Sequence, residues 1–113
     1  MIKWNEKKYH CPVEVAMDLL SGKWKCLMLW HLHDGTKRYK ELERIVPGVS
    51  QKMLSQQLRE LERDGLLTKT VYPEVPPRVE YSLTELGSSA FPILEMMHRW
   101  SVERLGVSEE AKP

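Results

Sequence analysis

Apolar positions recur at helical spacing from Cys11 onward. Pro12 suits a first helical position, where its missing N–H is not needed, and Val13, Ala16, Met17 and Leu20 follow along one face until Ser21-Gly22 stops the pattern. A second helix is predicted over about residues 23–33, with Trp24, Leu27, Met28 and Leu32 on its apolar side and the turn dipeptide Asp34-Gly35 behind it. Residues 36–39 read as a short strand or an extended entry. Tyr39, Leu42, Ile45 and Val46 then outline a short third helix that Pro47-Gly48 ends. Ser50 is a good N-cap for a fourth helix reaching about Asp64, with Leu54, Leu58 and Leu61 as its buried stripe and Gly65 placed to terminate it.

The period then changes from 3.6 towards 2. Residues 67–72 and 78–83 are rich in β-formers, and the prolines at 73, 76 and 77 must lie between them, since proline cannot donate to a strand ladder. This predicts a β-hairpin with a stiff tip. Thr84-Glu85 begins a last helix, to about residue 105, on which Pro92 predicts a kink or a break near the start. The residues beyond it read as a frayed tail, and those before Cys11 as a polar start.

Two helices joined through Pro47-Gly48-Val49-Ser50 and followed directly by a hairpin have the layout of a winged helix-turn-helix. The expected fold is mainly α with a small β-hairpin wing, in one domain over residues 1–113, with a core at about 11–83 and a C-terminal dimerisation helix at about 85–105. Dimerisation is expected because that helix carries two apolar stripes. One holds Leu86, Ala90, Ile93, Met97 and Trp100, the other Phe91, Leu94 and Leu105. One stripe can pack on the domain, which leaves another for a partner. Phe91, Leu94, Met97, Trp100 and Leu105 are therefore the expected homodimer interface.

Composition excludes more than it selects. With 113 residues, 42% hydrophobic and 29% charged, the chain has enough apolar surface for a folded core and is neither low-complexity nor collagen-like. The longest apolar run, Cys26 to Trp30, is far short of a membrane span, and the first residues lack a signal peptide's apolar core, so a cytosolic protein is expected. Net charge is only +1, but residues 36–63 hold seven basic side chains against four acidic ones.

Three of those basic side chains lie on the fourth helix. At about 100° per residue, Lys52, Ser55, Gln56, Arg59 and Arg63 lie broadly opposite the leucine stripe. In a helix-turn-helix the second helix lies in the DNA major groove. Gln can pair bidentately with adenine, and Arg or Lys with guanine. Lys52, Ser55 and Gln56 are the candidates for base readout, with Ser50 and Arg59 beside them. Gln51 is expected at a phosphate near the helix's positive end. Lys69 and Arg78 on the wing, and Arg38 and Lys40 with Lys37 before the third helix, are candidates for gripping the DNA backbone. The partners implied are double-stranded DNA with a pseudo-palindromic operator and a second copy of the chain.

Catalytic chemistry finds no foothold: there is no Gly-rich phosphate loop, nucleophile elbow or supported carboxylate pair. His10, His31, His33 and His98 match no metal-ligand spacing, so no metal and no cofactor are expected. Cys11 opens a helix, where the dipole and free N–H groups stabilise a thiolate, and it is the candidate redox-sensing residue. Cys26, between Trp24 and Leu27-Met28, reads as core packing. Two rival readings remain. One is a non-covalent ligand in a pocket between dimer helices lined by Trp24, Trp30, Trp100 and methionines. The other is a winged helix that binds protein in place of DNA.

The sequence also resembles the HxlR-type winged helix-turn-helix regulators of bacteria, often grouped near the MarR regulators. The residues that carry the likeness are Cys11-Pro12, Gly22-Lys23-Trp24, Arg38-Tyr39-Lys40-Glu41-Leu42, and the run from Pro47 to Leu54. They continue from Leu58 to Leu66 and from Pro76 to Gly87, so the likeness spans about residues 11–105. Tyr39 and Val49 stand where Phe and Ile are common in the family. The resemblance implies a homodimer that binds operator DNA, usually near its own or a neighbouring gene; taken with the residues, the expected regulator is a repressor in preference to an activator. It also implies a precedent for Cys11, since some relatives use a cysteine at the matching position to sense oxidants or quinone-like electrophiles.

Overall fold

The computed structural model describes residues 1–108; the predicted tail beyond them lies outside the described residues. The element order is β1 (Ile2–Trp4), β2 (Lys7–Tyr9), α1 (Pro12–Leu20), α2 (Lys25–Leu32), β3 (Lys37–Arg38), α3 (Tyr39–Ile45), α4 (Gln51–Arg63), β4 (Leu67–Tyr72), β5 (Arg78–Leu83), α5 (Glu85–Ser89) and α6 (Phe91–Leu105). β1 and β2 form a separate antiparallel hairpin, while β3, β5 and β4 make a three-stranded antiparallel sheet in that order. The long β4–β5 pair, in register from Leu67↔Leu83 to Tyr72↔Arg78, is the wing. The fold is a winged helix-turn-helix.

The core is the space the helices share. Met28, Leu29 and Leu32 of α2 meet Leu42 of α3, Val46, and Leu54, Leu58 and Leu61 of α4, all essentially without solvent contact. Leu66, Leu67 and Tyr81 close it from the wing side. Local chemistry sets the boundaries. Ser50 Oγ accepts from the Met53 amide at 3.0 Å and starts α4. At the other end Gly65 takes φ +83°, which lets its own amide reach the Glu62 carbonyl and the Leu66 amide reach the Leu61 carbonyl, the paired bonds of a Schellman stop. Thr84 then ties the next element to this corner: its hydroxyl donates to the Gly65 carbonyl at 2.6 Å and accepts from the Gly87 amide at 3.0 Å.

Four features depart from the sequence expectations. The polar start folds as a hairpin, turning through Asn5 and Glu6, which both take positive φ, and Tyr9 is buried at its end. Val13 and Met17 of α1 face solvent, and no α1 residue is fully buried. On α2 the buried side is Lys25, Met28, Leu29 and Leu32; Leu27 is exposed and Trp24 half-buried. The last helix, by contrast, shows the break expected near its start: α5 and α6 meet at Ala90, because Pro92 can sit only in the first turn of the second. Finally, Leu94 is 5% exposed within the chain's own core, and Phe91 stacks on Trp30 and His33. Those two expected interface residues are thus turned inward, and α6 helps to build the core that was expected to end near residue 83. Met97, Trp100 and Leu105 remain exposed.

Candidate nucleic-acid interface

α4 presents its charged and amide side chains to solvent because its opposite face is held by leucines. Gln51, Lys52, Gln56 and Arg59 are all exposed. Lys52 and Arg59 make no ion pair among the described residues, so both cationic heads are free to meet a polyanion. Ser55 differs. It is half-buried, and its hydroxyl lies 3.1 Å from the Tyr39 hydroxyl, which also donates to the Gln51 carbonyl at 3.2 Å. Ser55 therefore joins α3 to α4 and fixes the angle between the two helices of the motif. Gln51 Nε2 donates to Glu43 at 3.2 Å across the same joint. Arg63, at the far end, pairs with Asp64 at 3.3 Å, which raises its already high pKa.

The cation at the loop end of the wing is not free. Arg78 lies 3.2 Å from Glu74 and 3.5 Å from Glu80, with its guanidinium 4.1 Å from the centre of the Tyr72 ring. Two carboxylates and an aromatic face hold it as a brace across the hairpin. At 3.5 Å the Nε–Glu80 contact is an ion pair, not a hydrogen bond, which leaves that N–H without an acceptor. Lys69, by contrast, is exposed on β4. Between the wing loop and α3 lies an open cleft of about 820 Å³, edged by Arg38, Lys40, Arg44 and Arg78 as well as Glu41 and Glu74. Arg38 and Lys40 are thus brought to one cleft with the wing. The Arg38 amide donates to Glu41 at 2.9 Å and so opens α3.

Sequence reasoning missed what stands behind the reading face. Lys25 of α2 is 3% exposed, and its ammonium is 2.6 Å from Glu60 of α4. That hydrogen bond holds the Glu60 carboxyl below the usual carboxylate range, against the opposing effect of its partial burial. Gln57 is buried beside them, with an unpaired Oε1 that a Cβ on Gly22 would approach to 2.5 Å. An apolar-pattern count passes over a lysine and a glutamine. The available signal was that Lys25 shares a helical face with Met28, Leu29 and Leu32.

Cys11 is exposed and caps α1 in an extended conformation. The Glu14 carboxylate takes the amide protons of both His10 and Cys11, so a negative charge already sits at this helix end. Lys7, four residues before Cys11, is engaged by Asp18 at 3.3 Å. Asp18 also accepts from the Tyr9 hydroxyl at 2.6 Å; that bond pushes the Tyr9 pKa up to about 12 and lowers that of Asp18. Cys26 is half-buried, donates to the Leu20 carbonyl at 3.4 Å, and has a pKa raised by burial, as a packing thiol should. Among the described residues no group of three or more His, Cys, Asp or Glu could hold a metal ion, and no helix is long and apolar enough to cross a membrane.

A helix-turn-helix with a basic outer face and an adjoining wing defines a DNA-binding regulator. The match to known proteins narrows the class: the model of the HxlR-like helix-turn-helix covers residues 19–109, and the chain belongs to that family of transcriptional regulators. The HTH-type transcriptional regulator YtcD of Bacillus subtilis is 49% identical over 100 residues, which span 88% of this chain and 79% of YtcD. A MarR-family regulator from Porphyromonas gingivalis superposes with a TM-score of 0.81 at 43% identity, over 87% of this chain and 96% of its own. The redox regulator HypR in its oxidized form superposes with a TM-score of 0.79 at 46% identity, over 88% of this chain and 100% of its own.

Proposed function

We propose that this chain is a sequence-specific, homodimeric DNA-binding repressor that reads base edges with α4 and responds to oxidants or electrophiles through Cys11. The observation that carries the DNA reading is the α4 face: Lys52, Gln56 and Arg59 project together from a helix whose other side is locked into the core. Lys69, Arg38 and Lys40 supply phosphate contacts on either side, while Ser50, Ser55, Gln51 and Arg78 position the reading elements. Support for a dimer comes from the terminal helices. Val13 and Met17 on α1 and Ile93, Met97, Trp100 and Leu105 on α6 are large apolar side chains left in solvent. Two-fold pairing would set the recognition helices about 34 Å apart on a pseudo-palindromic site, and occupancy alone can then block transcription. Support for the thiol switch is the exposure of Cys11 together with the similarity to a redox regulator.

The test is binding to the DNA upstream of the chain's own gene at two salt concentrations, before and after diamide or a quinone, with wild type, Cys11→Ser and Lys52→Ala. Specific binding that weakens steeply with salt supports the DNA reading. Loss of about 1–3 kcal/mol of base discrimination in Lys52→Ala supports the assigned face. Oxidation that releases wild type but not Cys11→Ser supports the switch. Release of both alike, or of neither, refutes it.

A further inference from the structure

The groups behind the α4 face form a relay that ends on Gln56. Lys25 donates from its buried ammonium to one oxygen of Glu60 at 2.6 Å. The second oxygen of the same carboxylate accepts from Gln56 Nε2 at 3.2 Å. Lys25 has little room to swing away, because the α1–α2 turn is closed over it: a Cβ on Gly22 would already sit 3.2 Å from Lys25 Cδ. An ammonium only donates and an ionised carboxylate only accepts. The direction of the relay is thereby fixed, and Gln56 must turn its NH2, not its carbonyl, towards Glu60.

This matters because a glutamine amide has two faces that differ in chemistry. A free Gln on a helix surface turns about its last torsion at little cost and offers donor or acceptor alike. Here one Nε2 hydrogen is engaged by Glu60, leaving Oε1 and the second N–H for a partner in the groove. An acceptor beside a donor matches adenine, which presents N6–H and N7. An exposed pair four residues apart is ordinarily worth little, since both ends must be ordered. In this pair Glu60 is already immobilised by Lys25, so only Gln56 remains to be ordered.

We propose that Glu60, anchored by the buried Lys25, is a positioning residue that fixes the orientation of the Gln56 amide and thereby the base read there, adenine over bases that present acceptors. The inference rests on the DNA-binding reading of α4. Its test is selection from a randomised duplex DNA library by wild type, Gln56→Ala, Glu60→Gln and Lys25→Met, each checked for folding by thermal unfolding. Gln56→Ala locates the base pair concerned, because preference there flattens. Glu60→Gln keeps an oxygen for Lys25 but points an NH2 at Gln56, which must then turn its carbonyl inward and its NH2 outward. Adenine preference at that base pair should fall about tenfold or more and move towards guanine or thymine, with the rest of the motif unchanged. Lys25→Met releases the anchor and should flatten the preference without reversing it.

Unchanged adenine preference in folded Glu60→Gln overturns the proposal, and so does uniform weakening across the motif, which is what a merely structural role would give. Should Glu60→Gln not fold, unchanged preference in Lys25→Met has the same force. A wild type that selects no motif removes the DNA-binding reading and this inference with it. A motif indifferent to Gln56→Ala removes only the positioning role.

Discussion

Truncating Glu60 to alanine should cost more stability than its partial exposure suggests, because the cost falls on its partner. Lys25 is nearly inaccessible, with 4% of its side chain exposed against 25% for Glu60. Glu60→Ala leaves an ammonium buried without a counter-charge, a lesion that typically costs about 3–5 kcal/mol. Because water can follow the vacated Glu60 path, the lower end, about 3 kcal/mol, is the expected value. A chain of 113 residues has a melting entropy of about 0.24 kcal/mol per kelvin, so this corresponds to a Tm lowered by about 12 °C. Lys25→Met is the contrasting variant. It keeps the buried stem, removes the charge, and leaves a carboxylate that can turn to water, so a cost below about 1.5 kcal/mol is expected.

Urea and thermal unfolding at one fixed protein concentration would measure both, since any self-association makes Tm concentration-dependent. The pH dependence adds an independent check. Glu60's folded pKa is depressed, so its contribution is fully present above the unfolded carboxylate value of about 4.3 and is lost as pH falls through the lower folded value. The gap between wild type and Glu60→Ala should therefore be constant near neutrality and close in acid. A Glu60→Ala cost under about 1 kcal/mol, or a Lys25→Met cost equal to it, would refute the argument that the unpaired ammonium sets the magnitude.

Gly87→Ala should destabilise strongly, by about 3 kcal/mol or more in urea titration, because its Cβ would fall 2.1 Å from the Leu66 backbone carbonyl, which cannot rotate away. In an ultraviolet phenol titration, Tyr9 should ionise at about 12, and Tyr9→Phe should remove that step. Because this folded pKa is raised, the Tyr9–Asp18 contact stabilises below about 10 and is lost as pH climbs through about 12, so alkaline stability should differ least between the two proteins at the highest pH. Trp100→Glu with Met97→Glu should shift sedimentation from dimer to monomer while leaving the urea midpoint of a monomeric reference nearly unchanged, since both side chains are at least half exposed. A monomeric wild type, or a variant that stays dimeric, would remove α6 from the interface.

The sequence was most legible where one periodicity ran without competition. The α4 boundaries follow from Ser50, the leucine stripe and Gly65, and the wing follows from prolines that cannot sit in a ladder. It was least legible where a side chain serves two elements. Ser55 lies on the outward side of α4 by angle alone, yet the Tyr39 hydroxyl, sixteen positions earlier, turns it into a joint. Arg78 reads as a phosphate grip until Glu74 and Glu80 are seen to close on it. The two α6 stripes were both visible, but which one faced the core depended on Trp30 and His33 offering a ring surface to Phe91. The N-terminal hairpin was hidden because each strand is only three residues long and Lys7-Lys8 give the second no apolar alternation.

The buried lysine shows how one such miss arises behind the outer face of α4. A pattern of apolar and polar positions assigns each residue to core or solvent, and Lys25 belongs to both, with its stem among α2 core positions and its charge on α4. A leucine there would pack, and a well-packed apolar pair can equal or exceed a buried ion pair in stability. What the ion pair adds is direction: it fixes one carboxylate, which holds one amide, on the helix proposed to meet base edges. Local consistency is relaxed at a functional surface when a neighbouring element must hold it in place. On the same logic, Gln56 is the one proposed reading residue held from behind, beside the unpaired Lys52 and Arg59, while Ser55 holds the helix that carries all three.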